Sequence, residues 1–187
     1  MREMSLAIAS SSLAARRSLA VVLGAALVAV AAQIAVPLPG TPVPMTLQPL
    51  AVLLVGGFLG AELGAASMIL YLCLGAAGLP VFTPYGLPGL ARLLGPTGGY
   101  LLAYPVAAFA VGKIAGDGRH LGWLALGVAS GLVLIHLGGA AQLLILSGDP
   151  GLALRLGTLP FLGGDLLKLL VAILLLRPTI APVRARL

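Results

Sequence analysis

The sequence predicts an all-α integral membrane protein, a bundle of six helices, and three observations carry that expectation. Hydrophobic residues make up 60% of the 187 positions, whereas only 9% are charged. No charge falls between Arg17 and Glu62, between Glu62 and Arg92, between Arg92 and Lys113, or between His120 and Asp149, and each of these gaps holds at least one bilayer-spanning segment. Glycine- and proline-rich breakers divide the apolar stretches. A soluble domain of this length needs a polar surface that the composition cannot supply.

Taken in order, the first span is expected over residues 18–36. Arg16 and Arg17 precede it as they would a signal peptide. The run is longer than a signal h-region and further membrane segments follow, so it is expected to be retained. Next comes Pro37-Leu38-Pro39-Gly40-Thr41-Pro42-Val43-Pro44, whose four prolines stiffen the chain and remove backbone donors, which predicts a rigid rim. The second and third spans, 46–63 and 65–79, are punctuated by Gly56, Gly57, Gly60 and Gly64 and are expected as a hairpin around Glu62. A long connection from 80 to 100 ends in Gly95-Pro96-Thr97-Gly98-Gly99-Tyr100, where free amides near a helix start suit an anion or a polar ring. Spans at 98–114, 121–146 and 161–176 complete a single membrane domain covering residues 1–187.

Basic residues set the orientation. With six spans, Arg2, Arg16, Arg17, Lys113, Arg119, Arg177, Arg184 and Arg186 fall on one side, against Arg92 and Arg155 on the other. The positive-inside rule then puts both termini in the cytoplasm of a multi-pass cell-membrane protein. The net charge of +6 is accounted for by groups flanking membrane segments and facing lipid headgroups, which argues against a nucleic-acid partner. The lone Cys73 supports neither a disulfide nor a metal cluster. No Gly-Lys-Ser/Thr follows the glycine-rich loop, so ATP binding by this chain is not expected. No Ser-His-Asp, paired-carboxylate or metal-ligand constellation is found either, so no enzyme activity, catalytic residue, metal or cofactor is expected.

Asp165 and Lys168 are the only charges set well inside a spanning segment. An ionisable group at membrane depth costs on the order of 2.5–3.5 kcal/mol on insertion scales, so it faces a bundle interior or a watery cavity. At i and i+3 the two side chains share one helix face. They match a solute bearing N–H donors and a carboxylate; an internal pair that neutralises itself is the competing explanation. Gln48 enters the second span beside the rim, as a ligand contact or an interhelical hydrogen bond. Tyr100 and Tyr104, at i and i+4, offer a wall for an apolar ring or an interfacial aromatic belt. Arg92 either steers an anion or is a solvated loop charge. His136 and Gln142 read as interhelical hydrogen-bonding groups, and Glu62 marks the second turn. Ala20 and Gly24 belong to a small-residue stripe that permits close helix approach, either within the chain or toward a partner.

Four motifs, Val43-Pro44-Met45-Thr46-Leu47-Gln48, Leu74-Gly75-Ala76-Ala77-Gly78-Leu79-Pro80-Val81-Phe82, Leu94-Gly95-Pro96-Thr97-Gly98-Gly99-Tyr100 and Gly164-Asp165-Leu166-Leu167-Lys168, occur in an order that resembles BioY, the biotin-specific substrate-binding component of energy-coupling-factor transporters. The resemblance covers roughly residues 18–177. It implies a six-helix protein that captures biotin from outside and imports it with a transmembrane coupling subunit and a pair of ATPases. It further implies that Asp165, Lys168, Tyr100, Gln48, Tyr104 and Arg92 contact the ligand, and that helix one docks through Ala20 and Gly24 onto the coupling subunit. Some relatives carry an arginine directly after Gly-Gly-Tyr, where this chain has Leu101, so a second cationic contact would fall to Arg92. The remaining alternatives are a stand-alone secondary transporter with Asp165 as its proton-coupling group, and a small intramembrane acyltransferase that would need a base near the glycine-rich loop.

Overall fold

The computed structural model describes residues 2–187, with side chains from residue 13 onward; the side chain of Arg2, counted above for orientation, lies outside the described residues. Helix α1 (Arg2–Gln33) leads into a two-stranded antiparallel ribbon, β1 (Ala35–Val36) and β2 (Met45–Thr46), paired Ala35 with Thr46 and Val36 with Met45. There follow α2 (Gln48–Ala76), the short α3 (Leu90–Leu94), α4 (Gly98–Ile114), α5 (Leu121–Ser147), the short α6 (Pro150–Gly157), a 3-10 turn at Leu159–Phe161 and α7 (Leu162–Arg184).

Helix α2 is a hairpin. In a straight helix 23 residues would separate Gln48 from Tyr71 by about 35 Å, yet Gln48 Nε2 donates to the Tyr71 hydroxyl at 2.7 Å. The reversal sits at Gly60, whose φ of 82° and ψ of −178° lie in a region essentially reserved for glycine. Gly56 and Gly64 close the turn, since a Cβ on Gly64 would stand 3.0 Å from the Gly56 Cα. The two arms, 48–59 and 61–76, correspond to the second and third expected spans, with the break four residues ahead of the expected one. Among the described residues four helices are long and apolar enough to cross a membrane, with α4 shorter. Counting the arms of α2 separately makes six antiparallel rods.

Two regions elude the sequence reading. The proline-rich rim is pinned by the β1–β2 ribbon rather than being a plain polyproline path. The connection 148–161 contains α6, which starts as Asp149-Pro150 predicts: the Asp149 carboxylate caps Gly151 and Leu152 amides at 2.7 and 3.1 Å, and proline occupies the first turn. Helix α7 also runs well past residue 176, carrying Pro178 and Pro182 within it.

The core is a stack of two clusters along the bundle. One, around Leu53, Val111, Leu124, Val128, Leu176 and Ile180, fills the end that holds the chain termini, where Arg17 Nε donates to the Leu187 carbonyl at 3.0 Å. At this end Arg184 donates to the carbonyls of Gly57, Gly112 and Gly116 at 2.7–3.2 Å. A cation thereby covers the C-terminal ends of the first α2 arm and of α4, where unpaired carbonyls concentrate negative charge. The other cluster, around Val52, Tyr71, Tyr104, Ala107 and Ile135, lies toward the opposite end, beneath the loops.

The stripe on α1 faces inward. Ala20 and Gly24 are buried, and a Cβ on Gly24 would lie 2.6 Å from Ser67 Oγ and 3.1 Å from Leu59 Cδ1. These residues serve the close approach of α1 to α2. Of the two readings of the stripe, packing within the chain is the contact seen here, and the outward face of α1 is Leu19, Val22, Leu23, Leu27 and Val30.

Candidate functional site

The N-termini of α2, α4 and α7 converge at the end of the bundle away from the chain termini, beneath the ribbon and the 80–97 connection. They enclose a cavity of about 590 Å³ including its open mouth. All six residues expected to contact a ligand, Gln48, Arg92, Tyr100, Tyr104, Asp165 and Lys168, line it. Side chains from the first two turns of these three helices form much of its wall.

Along α7 the buried positions Asp165, Lys168, Ala172, Leu176 and Ile180 form one stripe, while Leu166, Leu167, Leu170 and Leu174 face outward. That periodicity turns both charges into the bundle. Asp165 and Lys168 are only 6% and 7% exposed. Lys168 Nζ donates to Asp165 Oδ1 at 2.8 Å, and His136 Nε2, from α5, lies 2.6 Å from Asp165 Oδ2. The pair is therefore internally neutralised and also faces the cavity, so the two readings of it are compatible. An ionised carboxylate has about four acceptor positions and an ammonium three donors. Each keeps bonding capacity for a ligand.

Tyr100 and Tyr104 sit in the first two turns of α4. The Tyr100 hydroxyl donates to the Gly157 carbonyl at 2.5 Å, fixing the ring against the last residue of α6. Gly139 of α5 is required by that ring, because a Cβ there would overlap it. Tyr104 stacks on Tyr71 with centroids 6.4 Å apart, and Tyr71 meets Phe82 edge to face at 5.4 Å. Of these rings Phe82, Tyr100 and Tyr104 line the cavity, with Tyr71 behind them, and make an apolar wall suited to a small saturated ring system. Gln48 spends one of its two amide N–H donors on Tyr71 and lies beside Thr46, whose hydroxyl is 3.3 Å from Gln48 Oε1.

Arg92, read from sequence as either a steering or a solvated charge, is 6% exposed. Its guanidinium donates to the Leu87 carbonyl at 2.9 Å and to Thr83 Oγ1 and the Thr83 carbonyl at 2.9 and 2.8 Å. Three of five N–H donors are thus used within the loop, which leaves two. Burial lowers its pKa, yet a guanidinium stays protonated in a protein. No carboxylate pairs with it among the described residues, so it is the uncompensated cation of the cavity.

Sequence reasoning missed His136 as a cavity residue, together with Phe82, Thr83, Thr97, Ile135 and Phe161. The signal for His136 was present, since an imidazole inside an apolar helix calls for a partner; the apolar residues have no mark that separates a cavity wall from a core. Gln142 instead donates to the Leu94 carbonyl at 3.2 Å, tying α5 to the loop. No group of three or more metal-ligating side chains occurs among the described residues.

A model of the BioY family matches residues 4–185. The probable biotin transporter BioY of Pyrococcus horikoshii is 42% identical over 155 residues, 83% of this chain and 90% of the relative. The biotin transporter BioY of Thermotoga maritima is likewise 42% identical, over 151 residues, 80% and 87% of the two chains. Among solved structures, the S-component for biotin from an ECF-type ABC transporter superposes with a TM-score of 0.79 at 26% identity, covering 88% of this chain and 90% of that one.

Proposed function

The chain belongs to the BioY family, and we infer that it is the substrate-binding subunit of a transporter that takes up biotin. It is a multi-pass membrane protein and not an enzyme; biotin is its transported ligand and not a cofactor. The observation that carries the reading is the cavity at the head of α7, where a buried acceptor and a buried cation stand side by side. One edge of biotin's ureido ring presents an N–H and a carbonyl side by side, the complementary pattern. Asp165 accepts from the N–H and Lys168 donates to the ring oxygen. The thiophane ring lies against Tyr100 and Tyr104, with Gln48 beside it. The valerate carboxylate goes to Arg92, because Lys168 is already neutralised by Asp165.

In this reading the cavity opens to the cell exterior, and the end bearing Arg17, Lys113, Arg119 and Arg184 faces the cytoplasm with both termini. Capture needs no nucleotide; uptake is driven by partners, a transmembrane coupling subunit and a pair of ATPases. With Ala20 and Gly24 turned inward, that partner would meet the outer face of α1. A stand-alone secondary transporter has no specific observation in its favour.

The test compares biotin with biotinamide, which lacks the anion. Arg92→Ala is expected to weaken biotin by about 30-fold or more while penalising biotinamide much less. Lys168→Ala should weaken both alike. The reverse pattern would assign the carboxylate to Lys168, and near-unchanged affinity in both variants would place the ligand elsewhere.

A further inference from the structure

We propose that His136 is a positioning residue for ligand recognition: it fixes the orientation of the Asp165 carboxylate so that a free lone pair faces the ureido N–H. The inference rests on the reading that Asp165 accepts from the ligand, and goes beyond it by giving the carboxylate's direction a cause on a different helix.

A carboxylate held by one partner can turn about its Cβ–Cγ bond, because that torsion is broad. Asp165 is held by two. Lys168 takes Oδ1 from one turn further along α7, and His136 takes Oδ2 from α5. One contact is local and follows the helix wherever it moves. The other ties α7 to its neighbour and sets the carboxylate plane against the rest of the cavity. Two of the four acceptor positions remain, and Asp165 presents them where it lines the cavity.

The imidazole is itself held. It lies between Tyr100, edge on with centroids 6.3 Å apart, and Phe161 at 6.4 Å. Its Nδ1 is buried with no hydrogen-bond partner among the described residues. An ionised carboxylate only accepts, so Nε2 carries a proton and donates to Asp165 Oδ2. Tyr100 is anchored in turn by its bond to the Gly157 carbonyl, so the chain of support runs from α6 through Tyr100 and His136 to Asp165.

The test couples the residue to one atom of the ligand. Biotin and biotin methylated at either ureido nitrogen are titrated against wild type, His136→Ala, His136→Gln, His136→Asn and Asp165→Asn, with the unliganded thermal stability of each variant measured in parallel. In wild type, methylation at one nitrogen should weaken binding strongly. In His136→Ala that penalty should shrink by about tenfold or more, while biotin itself binds about tenfold less tightly. His136→Gln, whose amide nitrogen reaches the Nε2 position, should restore the discrimination, and the shorter His136→Asn should not. If His136→Ala weakens biotin and its methylated forms by the same factor, or leaves both unchanged, His136 does not position the carboxylate. If Asp165→Asn leaves biotin binding unchanged, the underlying reading of Asp165 fails instead. Should His136→Ala not fold, equal discrimination in His136→Gln and His136→Asn overturns the proposal.

Discussion

A single residue, Asp165, concentrates the costs and the uses of this fold. It is buried, it answers a lysine three residues on and a histidine from another helix, and it still faces the cavity. Replacing it by asparagine keeps the shape but removes the charge. Lys168 then lies buried without a counter-ion, an arrangement that typically costs about 3–5 kcal/mol. Asp165→Asn is therefore expected to lower thermal stability in detergent. It should also weaken biotin and biotinamide alike, since the amide is a poorer acceptor and brings its own N–H groups toward the ligand's donors. Titration of both ligands checks this, and a selective loss of biotin alone would contradict it. The pair was legible in the sequence because charges inside an apolar run are expensive and must be accounted for. His136 was legible only as a group needing a partner; which partner depended on how α5 packs against α7, and no local pattern records that.

At the scale of the elements, small residues do the work that hydrophobic burial does in water, because helices in a bilayer associate mainly by close packing. Gly24 is the clearest case: its missing side chain lets α1 approach Ser67 and Leu59 of α2. Gly24→Leu should thus overpack this contact and destabilise the folded chain by about 1–3 kcal/mol. Biotin binding and uptake would fall together, as the yield of folded protein falls. A variant that folds and binds normally but fails only in uptake would restore the outward-docking expectation. The stripe was visible in the sequence, but spacing alone does not say whether its partner lies inside or outside the chain. The α2 hairpin was expected from clustered glycines, whereas the turn's place needed the backbone at Gly60. The β1–β2 ribbon and α6 were missed, being too short for periodicity to register, although Asp149-Pro150 carried a start signal for α6.

The whole molecule separates two tasks along its length. One end is closed by Arg184 on the carbonyls of Gly57, Gly112 and Gly116, and carries most of the basic residues; the other gathers three helix N-termini around a cavity with Arg92 at its loop side. The expected orientation follows from that asymmetry. After Cys73 is replaced by serine, a membrane-impermeant maleimide should label Tyr85→Cys but not Glu62→Cys in intact cells, and the opposite pattern would invert the topology. The central claim is that this chain alone forms a biotin site. Isothermal titration of purified, monodisperse protein with biotin, in the absence of nucleotide and of any partner, tests it most directly. Saturable binding of about one biotin per chain is expected, and folded protein that shows none would mean that this chain alone does not form the site.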